Sequence, residues 1–190
     1  MNESLIQNQE KISLLQSYFS CNGVLSCNEN KDLPSLENVG GDFNSIISLM
    51  ERGEVFYSKL YKKRATYLSR ELYYQIKPYK QRADRLSPKS KEILDFIAAV
   101  GIVTTKEIKS MFMLSAKAFS SCMDELFAEL FVTVIQRDRM LNQGWSSFCW
   151  GTSLRWEQLK PLPEVELDIK KISALLSAIM TEKQIQSLLR

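Results

Sequence analysis

The stretch VTVIQRDRMLNQGWSSFCWGT, residues 132–152, decides the fold of the region around it. Two runs rich in β-branched and aromatic residues, VTVIQ and SSFCW, stand on either side of the polar segment RDRMLNQGW. This pattern predicts a β-hairpin with a long polar loop. The loop is either a wing that lies against nucleic acid or a solvated hairpin loop, with Trp145 and Trp150 closing the core.

Three short helices are predicted immediately before the hairpin. The first begins at Ser87, which is followed by Pro88, and ends at Gly101, because Ser favours the N-cap, Pro the first helical position and Gly the position after the last turn. Thr104 and Glu107 have the spacing of a capping box, which begins the second helix. Three helices followed by a hairpin is the order of a winged helix-turn-helix.

The third helix, residues 116–129, follows the N-cap residue Ser115 and carries an apolar stripe at helical spacing. The residues predicted to face inward are Phe119, Cys122, Met123, Leu126, Phe127 and Leu130. The residues predicted to face outward are Lys117, Ser120, Ser121, Asp124, Glu125 and Ala128. With Glu129 the helix has three acids and one Lys, so its C-terminal half would repel phosphates and base readout by this helix is not expected.

The rest of the chain adds helices on both sides of this core. Before it we predict a helix over residues 3–19, a helix entered from Asn44, a segment VFYSKLY that is either strand or helix, and a helix capped by Ser69. After it, a capping box of Thr181 and Gln184 begins a last helix. The fold class is therefore α+β and mostly helical, with a winged helix-turn-helix core and additional N- and C-terminal helices. The predicted regions are an N-terminal helical and irregular region, 1–86, with a basic segment at 52–86, the winged helix, 87–156, and a linker with C-terminal helices, 157–190.

Composition excludes several classes of site. The chain of 190 residues has no histidine, which removes the commonest general base and most zinc sites. The sequence has no phosphate-binding glycine motif, no signal-peptide pattern and no apolar run long enough for a membrane span. The four cysteines are few and irregularly spaced, which is typical of buried thiols in a cytoplasmic protein. A redox or metal-binding pair of Cys21 and Cys27 is the alternative. We therefore expect a cytoplasmic protein without a cofactor, a metal ion or contact with a membrane.

Positive charge is concentrated in one window of the chain. Residues 52–91 hold twelve Lys or Arg and three acids, whereas the whole chain has a net charge of only +3. Six tyrosines lie among these charges: Tyr57, Tyr61, Tyr67, Tyr73, Tyr74 and Tyr79. A positive surface with planar side chains suits a phosphate backbone and unstacked bases. The alternative is a solvated helix face with its tyrosines packed inward.

Four segments resemble the AlkZ-related proteins of bacteria, short relatives of the AlkZ family of winged-helix DNA glycosylases. They are ERGEVFYSKLYKKRATYLSRELY, LSPKSKEIL, MDELFAELFVTVIQRDRMLNQGWSSFCWGT and TEKQIQSLL. The resemblance implies the winged-helix fold and DNA as a partner. The glycosylases have a Gln-aliphatic-Gln or Gln-aliphatic-Asp motif, and its nearest match here, Gln136-Arg137-Asp138, has Arg at the aliphatic position. The catalytic role is therefore not carried over, and no catalytic residue is assigned.

These observations predict sequence-tolerant binding of nucleic acid, with DNA as the expected partner. The residues expected to contact it lie in the basic window and in the polar loop of the hairpin: Lys59, Lys62, Lys63, Arg64, Arg137, Arg139, Gln143 and Trp145. One alternative is a protein-interaction or structural module without a nucleic-acid role, and another is a divergent DNA glycosylase. No pattern in the sequence indicates an oligomeric state.

Overall fold

A computed structural model describes the backbone of residues 2–142, 145–160 and 167–189, and the side chains of residues 6–140, 146–160 and 167–189. Within these residues the α-helices are α1 (Asn2–Asn22), α2 (Phe43–Glu51), α3 (Arg70–Ile76), α4 (Pro88–Val100), α5 (Thr105–Phe112), α6 (Ala116–Ala128), α7 (Ser153–Glu157), α8 (Ile169–Leu176) and α9 (Glu182–Leu189). The strands are β1 (Val24–Ser26), β2 (Val55–Tyr61), β3 (Arg64–Ser69), β4 (Val103–Thr104), β5 (Val132–Asn142) and β6 (Trp145–Thr152). The protein is thus an α+β structure with small sheets.

Two three-stranded antiparallel sheets meet at their edges. The strand order is β1-β3-β2 in the first sheet and β4-β6-β5 in the second. The edge strands β2 and β5 are joined through one side chain. The backbone N–H of Tyr57 donates to Thr133 Oγ1 at 3.0 Å, and the Thr133 hydroxyl donates to the Tyr57 carbonyl at 3.0 Å. A single hydroxyl therefore satisfies an N–H and a C=O that the sheet edge would otherwise leave unpaired.

Residues 87–152 have the predicted order of three helices and an antiparallel hairpin. The side chains of Ser87, Thr104 and Ser115 cap α4, α5 and α6, and Glu107 completes the capping box. Gly101 ends α4 with a φ of 92°, a conformation that favours glycine. The short strand β4, which pairs with β6 between α4 and α5, was not predicted, because two residues are too few for a sequence pattern.

Two boundaries in the N-terminal half differ from the prediction. The N-cap of α2 is Asp42 and not Asn44, because Asp42 and Ser45 form a reciprocal capping box. The ambiguous segment VFYSKLY is the strand β2, and the following residues form β3. β3 was missed since one of its inward residues, Thr66, is polar. Its hydroxyl lies 2.9 Å from that of Ser58 across the pair, so the polar groups satisfy each other and are fully buried.

The apolar core extends across the predicted boundary at residue 86. One buried cluster contains Leu15 of α1, Ile46 of α2 and Val55 of β2 together with Ile97 of α4 and Leu126 of α6. The N-terminal helices and strands thus pack directly on the three-helix region. The division of the chain into three regions stays a prediction.

A second cluster ties the C-terminal helices to the first sheet. Trp156 of α7 is fully buried between Phe56 and Tyr73. Around it, Arg70 donates to the backbone carbonyls of Gly53 and Glu157 at 2.5 and 2.9 Å. This buried guanidinium therefore links the start of β2, the start of α3 and the end of α7.

None of the helices described is apolar over enough length to span a lipid bilayer.

Candidate nucleic-acid interface

Lys62, Lys63 and Arg64 lie together where β2 turns into β3, and we call them the basic turn. Tyr61 pairs with Arg64 across the hairpin, which leaves Lys62 and Lys63 as a two-residue loop. Both lysines have left-handed backbone conformations, with φ of 50° and 55°. Two-residue hairpin turns of this kind favour Asn-Gly or Gly-Gly, because a residue with a bulky side chain is strained there. The basic turn thus combines exposed charge with a backbone that other residues would adopt more easily.

Lys62 has one acidic neighbour, which the sequence analysis did not identify. Its ammonium lies 2.7 Å from Asp32 Oδ2, and the Lys62 side chain remains 54% exposed. The hydrogen bond to Asp32 raises the pKa of Lys62, so Lys62 is charged at neutral pH. Exposed pairs of this kind contribute little free energy. Lys62 can therefore exchange this partner for a phosphate.

Two clefts adjoin the basic turn and bring further cations to it. A cleft of about 600 Å³ lies between Arg64 and the loop after β1, which contributes Lys31 and Asp32. A smaller cleft of about 240 Å³ separates Lys62 from Lys183 of α9. Lys31 and Lys183 were missed by the sequence analysis because each lies outside the basic window.

The acids of residues 116–129 are less exposed than predicted. Asp124 binds the ammonium of Lys59 at 2.5 Å, and Glu129, itself buried, binds Arg85 at 3.2 Å. Glu125 accepts hydrogen bonds from Ser87, the N-cap of α4, and from Ser90. Asp124 and Glu125 stay partly exposed, because α6 packs against β2 and against the segment before α4, which supply the partners but do not cover these side chains completely. Cations neutralise two of the three carboxylates, which weakens the repulsion of phosphates expected for this helix.

Lys59 was predicted to contact nucleic acid, but most of its side chain is covered. Its ion pair with Asp124 leaves the Lys59 side chain 23% exposed and the Asp124 side chain 28% exposed. Lys59 thus lies behind the basic turn and not in it. The Lys59 ammonium would become available to a phosphate only if Asp124 were replaced.

The hydrogen bonds of Glu125 predict a pH-dependent contribution to stability. The Glu125 Oε2 atom accepts from the Ser87 N–H at 2.9 Å and from the Ser90 hydroxyl at 2.7 Å. Burial acts to raise the pKa of this carboxyl, but the hydrogen bonds from Ser90 and Ser87 and the charge of Lys63 lower it below its ordinary value. A lowered folded-state pKa stabilises the fold above the unfolded pKa of about 4.3, and the stabilisation is lost as the pH falls through the folded-state value.

We expect Glu125→Gln to lower the Tm at neutral pH, and to make the fall in Tm between about pH 5 and about pH 3 shallower than in the parent. Circular dichroism at each pH measures both effects. Glu92→Gln is the matched control, because Glu92 pairs with Lys89 on the surface and its side chain is 54% exposed. Identical pH profiles for the parent and Glu125→Gln would contradict this role of Glu125.

The twelve basic residues of the 52–91 window have three different environments. Two are buried, namely Arg70 and Lys80. Six form ion pairs, namely Lys59, Lys62, Lys77, Arg82, Arg85 and Lys89. The four that are exposed and form no ion pair with a described carboxylate are Arg52, Lys63, Arg64 and Lys91, although the charge of Lys63 acts on Glu125. Two of these four belong to the basic turn, which is where unpaired charge of the window is grouped.

The tyrosines of the window mostly pack inward. Tyr61, Tyr67 and Tyr73 are buried, and Tyr57 and Tyr74 are partly buried. The Tyr57 ring contacts Phe127 and Trp150 in the core, and burial raises the pKa of its hydroxyl. Tyr79 is the exposed member of the six, at 37%. Most of these rings are therefore not open to stacking with bases. The alternative of inward-packed tyrosines describes them better, although three of the rings lie in the β2–β3 hairpin and only Tyr73 and Tyr74 lie in an α-helix, α3.

The described residues of the polar segment 137–145 are strand and not loop. β5 continues to Asn142 and β6 begins at Trp145, with register shifts at three places along the pair. Both faces of this ribbon carry polar residues, so no alternation marked it as strand. Arg137 is held by α2, because its N–H donates to Glu51 Oε1 at 2.8 Å and its guanidinium donates to Asn44 Oδ1 at 3.0 Å.

Three further residues of this segment were predicted to contact nucleic acid, namely Arg139, Gln143 and Trp145. The Arg139 side chain is exposed and its guanidinium has no hydrogen bond or ion pair with a described residue, whereas the Arg139 carbonyl accepts from the Ser147 hydroxyl at 3.5 Å. Gln143 and the side chain of Trp145 lie outside the described residues. In the Gln136-Arg137-Asp138 segment, Asp138 accepts a hydrogen bond from the Ser147 hydroxyl at 2.8 Å.

The basic turn and the 137–145 segment lie on opposite sides of the contact between Tyr57 and Thr133. After Tyr57, strand β2 continues with Lys59, which binds Asp124, and ends at the basic turn. Beyond Thr133, β5 passes Glu51, which precedes β2 in the chain. The described residues therefore do not place the two candidate surfaces side by side.

The cysteines do not form the pair that the sequence left open. All four are free thiols, and Cys27 accepts a hydrogen bond from the Tyr67 hydroxyl at 3.3 Å, whereas Cys21 is exposed at the end of α1. Within the described part of the chain, no three Cys, Asp or Glu side chains are grouped as a metal site would require.

Comparison with known proteins gives one match. The profile of a family described as AlkZ related matches residues 47–189. The matched range is more than half of the chain and runs from α2 through the basic turn and the 87–152 region to α9. No curated protein and no solved structure matches the chain.

Proposed function

The chain belongs to the AlkZ-related family, and from this premise we propose that it binds nucleic acid in a sequence-tolerant way through the basic turn. The family name places it in the context of DNA glycosylases, which act on DNA, so duplex DNA is the first ligand to test. The observation that carries the proposal is the pair of left-handed lysines at the hairpin turn.

The conformation of this pair favours a functional origin. Lysine at a left-handed position costs on the order of 1 kcal/mol relative to Asn or Gly. Lys62 and Lys63 are both exposed, and the contacts of Lys62 with Asp32 and the Tyr61 ring are of the exposed kind that contributes little free energy. Strained residues persist where function requires their side chains. A hairpin that projects lysines from its tip can approach a phosphate backbone without steric hindrance from the rest of the sheet.

The chemistry of the basic turn indicates phosphate contacts and not base readout. A Lys ammonium is a point charge that binds any phosphate oxygen, and it does not need a particular base edge. Arg64 adds a third cation, and Lys31 and Lys183 line the clefts on the two sides. Binding should therefore depend strongly on salt and weakly on sequence.

We further propose that residues 87–152 are a winged helix. Support comes from the order of α4, β4, α5, α6, β5 and β6 and from the strand order β4-β6-β5. The exposed face of α6 offers Lys117, Ser120 and Ser121, and Asp124 is neutralised by its ion pair with Lys59. In this arrangement Arg139 on the 137–145 segment is a separate cation, remote from the basic turn.

The proposal predicts that stability and binding can be separated. In the variant Lys62→Asn/Lys63→Gly/Arg64→Gln, the turn takes residues that suit its backbone, so the free energy of unfolding should stay the same or rise by about 1 kcal/mol. Affinity for duplex DNA at ~0.1 M salt should fall at least ~10-fold, because about two phosphate contacts are lost. Urea denaturation and fluorescence anisotropy measure the two quantities.

The matched control is Lys170→Gln/Lys171→Gln, which removes two adjacent exposed lysines from α8. It tests whether affinity follows net charge alone. Asp124→Asn is the reciprocal variant, because it frees Lys59 and should tighten binding. Equal losses in the α8 control and the turn variant would contradict a site at the basic turn.

A further inference from the structure

The turn between α5 and α6 exposes two methionines in an unusual setting. Met111 is 62% exposed and Met113 is 92% exposed. Met113 is the C-cap of α5 and has a left-handed φ of 49°. Glycine is favoured at this position because any side chain is strained there. Met113 is therefore unfavourable both for its backbone and for its exposed apolar side chain.

Two phenylalanines belong to the same α5–α6 segment as the methionines. Phe112 packs against Phe96 of α4 with ring centroids 5.6 Å apart, and Phe119 of α6 packs against the same core. Both rings are half-buried. Methionine is common at surfaces that bind apolar segments of other proteins, since its flexible thioether adapts to different partners. The surface formed by Met111, Met113, Phe112 and Phe119 is named here the methionine surface.

The charges around the methionine surface are positive. Residues 103–121 contain Lys106, Lys109 and Lys117 and one acid, Glu107. The Glu107 carboxylate is occupied by the capping box, where it accepts from the Thr104 N–H at 2.7 Å and from its hydroxyl at 2.8 Å. None of the three lysines forms an ion pair with a described carboxylate, and Lys109 lies 5.1 Å from the Phe119 ring centre. Lys89 of α4, which pairs with Glu92, lies 5.5 Å from the Phe112 ring centre, so each ring of the surface has a lysine over it.

We infer that the methionine surface docks an acidic amphipathic segment of a partner protein. Apolar anchors of such a segment would cover the methionines and the phenylalanine rings, and its carboxylates would meet Lys106, Lys109 and Lys117. Complementary charge favours this partner over a basic or neutral one. An amphipathic helix is the simplest segment that offers both faces. This docking is independent of the basic turn, which lies on the first sheet.

The methionine methyl groups offer a direct test. The full chain labelled with ¹³C at the methionine methyls is titrated with a synthetic amphipathic helix that has leucine on one face and glutamate on the other. The Met111 and Met113 signals should shift, while the buried Met50 and Met123 and the exposed Met140 of β5 should not. Peptides with lysine in place of glutamate, or serine in place of leucine, should bind at least ~10-fold more weakly.

Met113→Gly provides a variant that folds at least as well as the parent, because it relieves the left-handed methionine. Its affinity for the glutamate peptide, measured in the same titration, should fall at least ~10-fold, whereas Met140→Ser should leave the affinity unchanged. Absence of shifts at Met111 and Met113, equal binding of the lysine peptide, or equal shifts at Met140 would each overturn the inference. Shifts of both methyls by duplex DNA at the same concentrations would assign the surface to nucleic acid and would overturn it as well.

Discussion

Replacing Leu126 with alanine is expected to lower the free energy of unfolding by about 2–5 kcal/mol. Leu126 is fully buried on the inward face of α6. It belongs to the same apolar cluster as Ile97 of α4 and Val134 of β5. Truncation removes the free energy gained by burying the side chain and leaves a cavity among elements that cannot collapse into it.

Equilibrium urea denaturation of both proteins measures this loss. Ser121→Ala is the control on the same helix, because Ser121 is exposed and its removal should change stability by less than about 0.5 kcal/mol. A loss below about 1 kcal/mol for Leu126→Ala would mean that α6 does not bury this face.

Replacing Trp156 with alanine is expected to cost about 3–5 kcal/mol. Trp156 is fully buried and makes edge-to-face contacts with Phe56 and Tyr73, at centroid distances of 5.0 and 4.9 Å. The Arg70 guanidinium lies 4.4 Å from its ring centre. The variant therefore loses apolar burial, two aromatic contacts and a cation–π interaction that helps to hold a buried charge.

Leu154→Ala is the control for this prediction, since Leu154 lies two residues earlier and is 65% exposed. It should change stability by less than about 0.5 kcal/mol. Trp156→Phe keeps part of the ring contacts and is expected to lower the free energy of unfolding less than Trp156→Ala. The phenylalanine variant can therefore be measured even if the alanine variant does not fold. Equal stability of Trp156→Ala and Leu154→Ala would contradict the position assigned to α7.

The sequence predicted most of the elements in residues 87–152 because their signals are local. Ser87, Thr104 and Ser115 cap the helices that they were expected to cap, and the stripe of Met123, Leu126 and Phe127 is buried. Capping and helical periodicity depend on residues within one or two turns of one another. They can therefore be seen in a single sequence.

The candidate site was predicted less well because its electrostatics depend on distant residues. Lys59 and Asp124 are 65 positions apart in the chain, and Lys62 and Asp32 are 30 apart. The charge count of the 52–91 window contains no information about these partners. A count of +9 therefore overstated the positive surface of this window, where two of the four exposed cations that form no ion pair with a described carboxylate belong to the basic turn.

The inward packing of the tyrosines shows a related difficulty. Interleaved Tyr and Lys residues suited either a stacking surface or a solvated helix face with its tyrosines packed inward. Residues 55–69 form a hairpin in which Tyr61 and Tyr67 are buried while Lys62, Lys63 and Arg64 are exposed. Polar residues such as Ser58 and Thr66 on the buried side hid the alternation that would have identified the strands.

The salt dependence of DNA binding shows whether the basic turn contacts phosphates. For the parent chain and for Lys62→Asn/Lys63→Gly/Arg64→Gln, the logarithm of the binding constant for one duplex is measured against the logarithm of salt concentration. Each phosphate contact contributes about −0.9 to this slope, so the turn variant should have a slope smaller in magnitude by about 2, with the same loss on duplexes of different sequence. Parallel lines for the two proteins, or no binding by the parent at low salt, would contradict nucleic-acid binding through the basic turn.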